Sequence, residues 1–138
     1  MKLKVCLDNG AKMPTKAHYW DAGFDLYCIK GAVIRGRASM CFDTGVHIEI
    51  PKGYVGFLKS KSGLNVLHSL VGEGVIDSGY TGSIIVKLYN NSDTYYSVKD
   101  GDKISQIVIL PIPSVELEEV RSLEKTERGD RGFGSSGR

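Results

Sequence analysis

Alternation with a period of two runs through this sequence in short bursts, and it decides the fold class. Val46, Ile48 and Ile50 alternate with His47 and Glu49, and Leu3, Val5 and Leu7 alternate with Lys2, Lys4 and Cys6. Successive side chains of an extended chain point to opposite faces, so each burst predicts a strand with one apolar face. Similar runs occupy residues 22–27, 38–42, 54–58, 84–90, 94–98 and 104–110, with a weaker one at 115–120. Turn clusters divide them: Asp8-Asn9-Gly10, Pro51-Lys52-Gly53, Asn90-Asn91-Ser92-Asp93 and Asp100-Gly101-Asp102. Many short strands at this spacing predict an all-β sandwich or barrel. The exception is SGLNVLHSL at 62–70, where Leu64, Leu67 and Leu70 recur at helical spacing behind a serine. It predicts one short helix capped by Ser62.

At 138 residues the chain is one domain, long enough to bury its own core. A net charge of +2 is too small to argue for nucleic acid or a membrane surface as partner. Cys6, Cys28 and Cys41 are an odd number without paired spacing, so they predict reduced thiols in strand-like, core-facing positions. The N-terminal MKLKVCLDNG lacks an apolar signal region, and no run approaches a membrane span. A soluble, cytoplasmic protein is expected. None of His18, His47 and His68 has a partner at metal-ligand spacing, which predicts structural or surface roles.

Chemistry concentrates in a few stretches. In GVIDSGYTG (74–82), Asp77 lies between β-branched residues and the bend Ser78-Gly79. Val75-Ile76 and Ile84, Val86 and Leu88 read as the two arms of a hairpin. A carboxylate at its mouth can orient a water, the backbone can read a flat ligand, and Tyr80 can pack against that ligand. The same residues also read as a tight turn whose aspartate caps its own backbone. SKSG (60–63) puts a cation and a hydroxyl at a helix entrance, where free N–H groups favour an anion. Gln106 offers an amide to a phosphate oxygen or a water. Asp25, between Phe24 and Leu26, could hold a hydrated magnesium ion, or be a surface carboxylate. The last eleven residues carry glycines at 129, 132, 134 and 137 with Phe133 as their single apolar residue. They predict a mobile tail able to wrap a phosphate chain, with Arg128 and Arg131 for charge and Ser135 and Ser136 for hydroxyls. An RNA-binding tail would need several repeats and a basic protein, and this chain has neither.

AGFDLY, SKSGL, GVIDSGYTG, GDKISQIVI and RGDRGFGSSG occur in a fixed order. Together they resemble the signature of the trimeric dUTPase family, from about Ala22 to the C-terminus. The resemblance implies a jelly-roll-like β-barrel, a homotrimer with active sites shared between subunits, and hydrolysis of dUTP to dUMP and pyrophosphate with Mg2+. It also implies a body of residues 1–127 and a lid of residues 128–138. By the same resemblance Asp77 is the base for water attack on the α-phosphorus, and Tyr80 lies beneath the deoxyribose and excludes a 2′-hydroxyl. The backbone from Val71 through Gly74, Val75 and Ile76 reads the uracil edge, and Asp25 anchors magnesium through water. Lys61, Ser62, Gly63 and Gln106 hold the phosphates. Arg128 meets the γ-phosphate, Phe133 covers the base, and Gly134, Ser135 and Ser136 close on the phosphate chain.

Three positions depart from the family pattern. Lys61 stands where arginine is usual and loses the bidentate fork. Thr81 replaces a frequent arginine, and Arg131 a common glycine. A dCTP deaminase shares the fold but needs a catalytic glutamate on the strand after the hairpin, where this chain has Lys87. A nucleotide-gated binding protein on the same fold is the alternative from another class.

Overall fold

The computed structural model describes every residue except Ser135 and Arg138. Eleven strands and one helix follow the turn clusters closely. The strands are β1 (Lys4–Leu7), β2 (Gly23–Tyr27), β3 (Ala32–Ile34), β4 (Ser39–Asp43), β5 (Val46–Glu49) and β6 (Tyr54–Lys59), followed after the helix by β7 (Leu70–Val71), β8 (Gly74–Ile76), β9 (Ile85–Asn90), β10 (Tyr96–Val98) and β11 (Lys103–Pro111). The helix α1 spans Ser62–His68.

All ladders are antiparallel, and none joins two strands consecutive in the chain. The largest sheet has the order β2-β11-β6-β8, and a second has the order β4-β9-β7. Two ribbons, β1-β5 and β10-β3, complete the described sheets. The all-β, jelly-roll-like expectation holds, with the strands arranged in open sheets. The strand β11 is irregular between Lys103 and Ser105.

The alternation read from sequence becomes the core. On β9, Val86, Leu88 and Asn90 face inward while Ile85, Lys87 and Tyr89 face out. They join Leu26, Ile34, Phe42, Val46, Ile48, Leu58, Leu70, Ile104 and Ile107 in one apolar cluster fed by all the sheets. The cysteine expectation is half right: all three are free, but only Cys28 is buried, and Cys6 and Cys41 are exposed.

Three local readings are corrected. The hairpin does not form, because β8 pairs with β6 while β9 pairs with β4 and β7. Its turn is real: the Tyr80 N–H donates to the Asp77 carbonyl at 3.2 Å, and Gly79 takes a φ of +89°. Beyond the turn the chain crosses to the other sheet, since Ile84 bonds the Val46 carbonyl at 2.9 Å. Secondly, Lys61 occupies the N-cap position of α1 without a side-chain cap, so Ser62 is the first helical residue. No residue of α1 is buried, and Val66 and Leu67 are exposed. Thirdly, residues 115–120 form no strand and are exposed.

Asn90 is the polar pivot of the core, 1% exposed. Its Nδ2 donates to the carbonyls of Ile34, Arg35 and Thr94, and its Oδ1 accepts from the Ser92 N–H and hydroxyl. Removing it takes a donor from the Ile34 carbonyl at a buried contact and from those of Arg35 and Thr94 at partly buried ones. Asn90→Ala is expected to cost on the order of 3 kcal/mol in chemical denaturation. Its exposed neighbour is the control, Asn91→Ala staying within about 0.5 kcal/mol.

Candidate active site

Strand β11 is bonded on both sides, and that brings separate stretches of sequence to one place. Gln106 lies opposite Asp25 of β2 and opposite Lys59 of β6. Two residues after β6 come Lys61 and Ser62, at the start of α1. Asp25, Lys61, Ser62 and Gln106, with Ala17, Asp21, Ala22 and Gly23, line a cavity of about 260 Å3. Four residues singled out in three separate motifs therefore share one pocket.

The electrostatics of this pocket centre on Asp25, which is 6% exposed. Lys61 Nζ donates to its Oδ1, and Lys103 Nζ sits 3.0 Å from its Oδ2. Burial alone would push the carboxyl up. The hydrogen bonds and charges of the two ammoniums outweigh it and hold Asp25 below the usual carboxylate range. A surface carboxylate, the other sequence reading, is excluded. Lys103 was not foreseen as a site residue. The register pairs Lys103 with Tyr27 and Ser105 with Leu26, so one extra residue on β11 turns the lysine toward Asp25. No local sequence signal marks such a bulge.

Side chains in the wall are pinned from behind. Gln106 Nε2 donates to the Ser60 carbonyl at 3.1 Å, and the Ser105 hydroxyl to the Lys59 carbonyl at 3.0 Å. The Ser60 hydroxyl accepts from the Gly72 N–H at 3.0 Å, fixing the loop that runs from Val71 to Gly74 against β6. Gly23 is required by close approach: a Cβ there would lie 2.3 Å from Gln106 Oε1.

The second group of expected residues lies elsewhere, with Val71 on β7 of the other sheet and Gly74 to Ile76 on β8 at the far edge of this one. Val71, Gly74 and the exposed Val75 lead to buried Ile76 and then to the exposed Asp77 and Tyr80. The Tyr80 hydroxyl donates to the Ser83 carbonyl at 3.0 Å, which fixes the ring on its own loop. Asp25 and β8 sit at opposite edges of the four-stranded sheet, three strand spacings apart. The register also sets Asp77 about four residues further along, because Ile76 is opposite Gly56 while Asp25 is level with Lys59. At strand spacings of about 4.8 Å and a rise of about 3.4 Å per residue, the separation is roughly 20 Å. One chain does not bring Asp77 to the Asp25 pocket.

The tail forms a third group. Arg128 Nε donates to the Arg131 carbonyl at 3.0 Å, and Arg131 Nε returns a bond to the Arg128 carbonyl at 3.1 Å. Phe133, Gly134 and Ser136 are exposed. Ser135 lies outside the described residues.

Known proteins resemble this chain in sequence and in fold. The dUTPase family model matches residues 9–137. The chain belongs to the dUTPase family. A deoxyuridine 5′-triphosphate nucleotidohydrolase of Candida albicans is 39% identical over 140 residues, covering 99% of this chain and 88% of that one. The solved dUTPase of Staphylococcus bacteriophage 80alpha with dUpNHpp superposes with a TM-score of 0.91 at 33% identity, covering 99% of this chain and 98% of that one. A mutant dUTPase of phage phi11, described with a structural Mg(II) ion, superposes with a TM-score of 0.83 at 31% identity, covering 91% and 100%.

The ion cluster yields a signed pH prediction. A lowered native pKa means that Asp25 stabilises the fold above its unfolded value of about 3.9 and loses that contribution as pH falls through the native value. Asp25→Asn is therefore expected to lower the thermal midpoint at pH 6, with the gap to wild type closing below about pH 3.9. A gap that persists undiminished at pH 2.5 would show that the charge is not its origin. Gly23→Ala should leave the fold intact while displacing Gln106, read as a lost contact in a crystal structure of the variant.

Proposed function

We propose that this chain hydrolyses dUTP to dUMP and pyrophosphate, at sites completed between copies of the chain in a homotrimer. The observation that carries the proposal is the charged pocket, where Lys61 and Lys103 flank a buried carboxylate beside Ser62 and Gln106. A triphosphate needs charge neutralisation and alignment more than covalent chemistry, and these are phosphate-handling groups. Family membership supplies the reaction, in which water adds to the α-phosphorus and pyrophosphate leaves.

In this reading Asp77 accepts the proton of the attacking water. Its carboxylate is exposed at the end of β8, free of salt bridges among the described residues. Tyr80, held by its bond to Ser83, forms a fixed wall against the sugar and leaves no volume for a 2′-hydroxyl. The backbone from Val71 to Ile76 meets the uracil edge. Lys61 and Ser62 hold the phosphate chain, with Gly63 allowing close approach on α1, and Gln106 bonds phosphate or water. Residues 128–138 act as a lid, in which Arg128 meets the γ-phosphate, Phe133 covers the base, and Gly134, Ser135 and Ser136 close on the phosphates.

Asp25 suits a magnesium ion bound through water, since Mg2+ keeps most of its hydration and takes few protein carboxylates. Among the described residues no three acidic, histidine or cysteine side chains cluster, so the remaining oxygen ligands must come from phosphates and water. Magnesium supplies charge neutralisation on the triphosphate. Lys61 leaves Asp25 for a phosphate when both are present.

The separation of roughly 20 Å within one chain supports sites built between copies. The exposed apolar residues Val66 and Leu67 of α1, and Val115, Leu117 and Leu123 beyond β11, offer surface to bury in such an assembly. The deaminase alternative loses ground because Lys87 points outward, its amine over the Tyr89 ring.

Pyrophosphate release measured with dUTP, dTTP, dCTP and UTP tests the assignment, with dUTP expected to dominate. Asp77→Asn should lower kcat by about 10²–10⁴, the worth of a positioned base, while nucleotide still binds. Mixing that variant one to one with a Ser62→Ala, Lys61→Ala double variant should recover about a quarter of wild-type turnover, since only some interfaces then pair two intact halves. No recovery after subunit exchange would refute shared sites. Removing residues 128–138 should spare the fold and trimer and suppress turnover.

A further inference from the structure

The geometry points to His47 as a proton-dependent latch that positions the loop carrying Asp77 and Tyr80. It rests on the reading of those two residues as base and sugar wall, and it adds a residue that belongs to none of the family stretches.

His47 lies on β5 opposite Cys6 of β1, between the buried Val46 and Ile48. Its ring reaches outward to two partners. Nδ1 is 2.7 Å from the Thr81 carbonyl oxygen, and Nε2 is 3.1 Å from Asp8 Oδ2. A carbonyl can only accept, and so can an ionised carboxylate. Both contacts are satisfied together only when both ring nitrogens carry hydrogen, which is the imidazolium. A neutral ring has one N–H, so one of its lone pairs must then face an acceptor oxygen at close range. Deprotonation converts a bridge into a bond on one side and a repulsion on the other.

Thr81 directly follows Tyr80, whose N–H closes the turn onto Asp77. The far end of the same loop is held by contacts that do not depend on a histidine proton. Ile84 bonds the Val46 carbonyl at 2.9 Å, and the Ser83 hydroxyl donates to Asp43. Around the Asp77 turn, the bond at Thr81 is the one tie from this loop to β5 whose strength follows protonation. The catalytic end is therefore anchored by a group that can let go.

Several charged or titratable groups face the ring. Asp8 touches it after β1, and Asp43 approaches from the end of β4. Cys6 lies opposite it on β1, while Lys4 and Glu49, further along the β1-β5 ribbon, neutralise each other at 3.2 Å. From the loop, Tyr80 directs its hydroxyl to Ser83 instead. The Thr81 carbonyl first, then the bond to Asp8, lift the imidazole above its ordinary value against a small opposing effect of burial. The sign follows: the latch is complete below the free-histidine value of about 6.5 and is lost as pH rises through the raised native value. Asp77 as base gives turnover that climbs with pH from the acid side. Release of the latch gives a separate decline on the alkaline side.

The test combines NMR titration of the full-length chain with pH profiles of dUTP turnover for wild type, His47→Gln and Asp8→Asn. The His47 ring is expected to titrate above about 6.5, with the Tyr80 and Thr81 amides following the same midpoint. Turnover should fall about tenfold across that midpoint, chiefly in kcat, as expected for a misplaced reacting group. Asp8→Asn should lower the ring midpoint and carry the alkaline limb down with it. His47→Gln should remove that limb and keep the acid limb. A ring that titrates at or below 6.5, loop amides indifferent to it, or an alkaline limb retained in His47→Gln each overturns the latch. Should His47→Gln fail to fold, the shift in Asp8→Asn decides the matter. Should wild type not turn over dUTP, the assignment of function falls, while coupled titration of ring and loop amides still upholds the latch and uncoupled titration ends it.

Discussion

The double ladder of β11 is the constraint on which the remaining structure depends. Because that strand is bonded to β2 on one side and β6 on the other, Asp25, Gln106 and the Lys61-Ser62 corner have no freedom to separate. Its inward residues, Ile104 and Ile107, are each 1% exposed and tie the ladder to the core. The polar groups of the pocket are thus mounted on rigid strand ends, where geometry is held by backbone pairing and apolar burial together.

Within that frame the Asp25 cluster is a compromise between stability and use. A carboxylate taken out of water is costly alone, and two ammoniums offset the cost. With Asp21 also in the wall, the two ammoniums balance the carboxylates of the pocket. Folding therefore draws on one set of paired charges at the pocket wall.

Much of this was readable beforehand, and the reasons differ by residue. The period-two run of β9 and the Ser78-Gly79 turn are consequences of local chemistry, and both are where the sequence places them. The pairing of those arms was misread, because register and partner are decided by which strand supplies the better buried face, not by proximity in the chain. Ser62 looked like a cap, yet Lys61 takes that position, since the lysine is drawn to Asp25 across the sheet. His47 seemed an isolated outward side chain. Its partners, Asp8 and Thr81, are 39 and 34 residues away in sequence.

The sequence alone determined the all-β class, the family and the chemical identity of the groups, because side-chain alternation, turn residues and ordered motifs are local properties. The tertiary structure alone decided which of these groups meet. It set Lys103 beside Asp25 through a bulge, joined His47 to a distant loop, and left Asp77 about 20 Å from the Asp25 pocket of its own chain. Those outcomes depend on strand order and register, which only the packing of the whole core fixes.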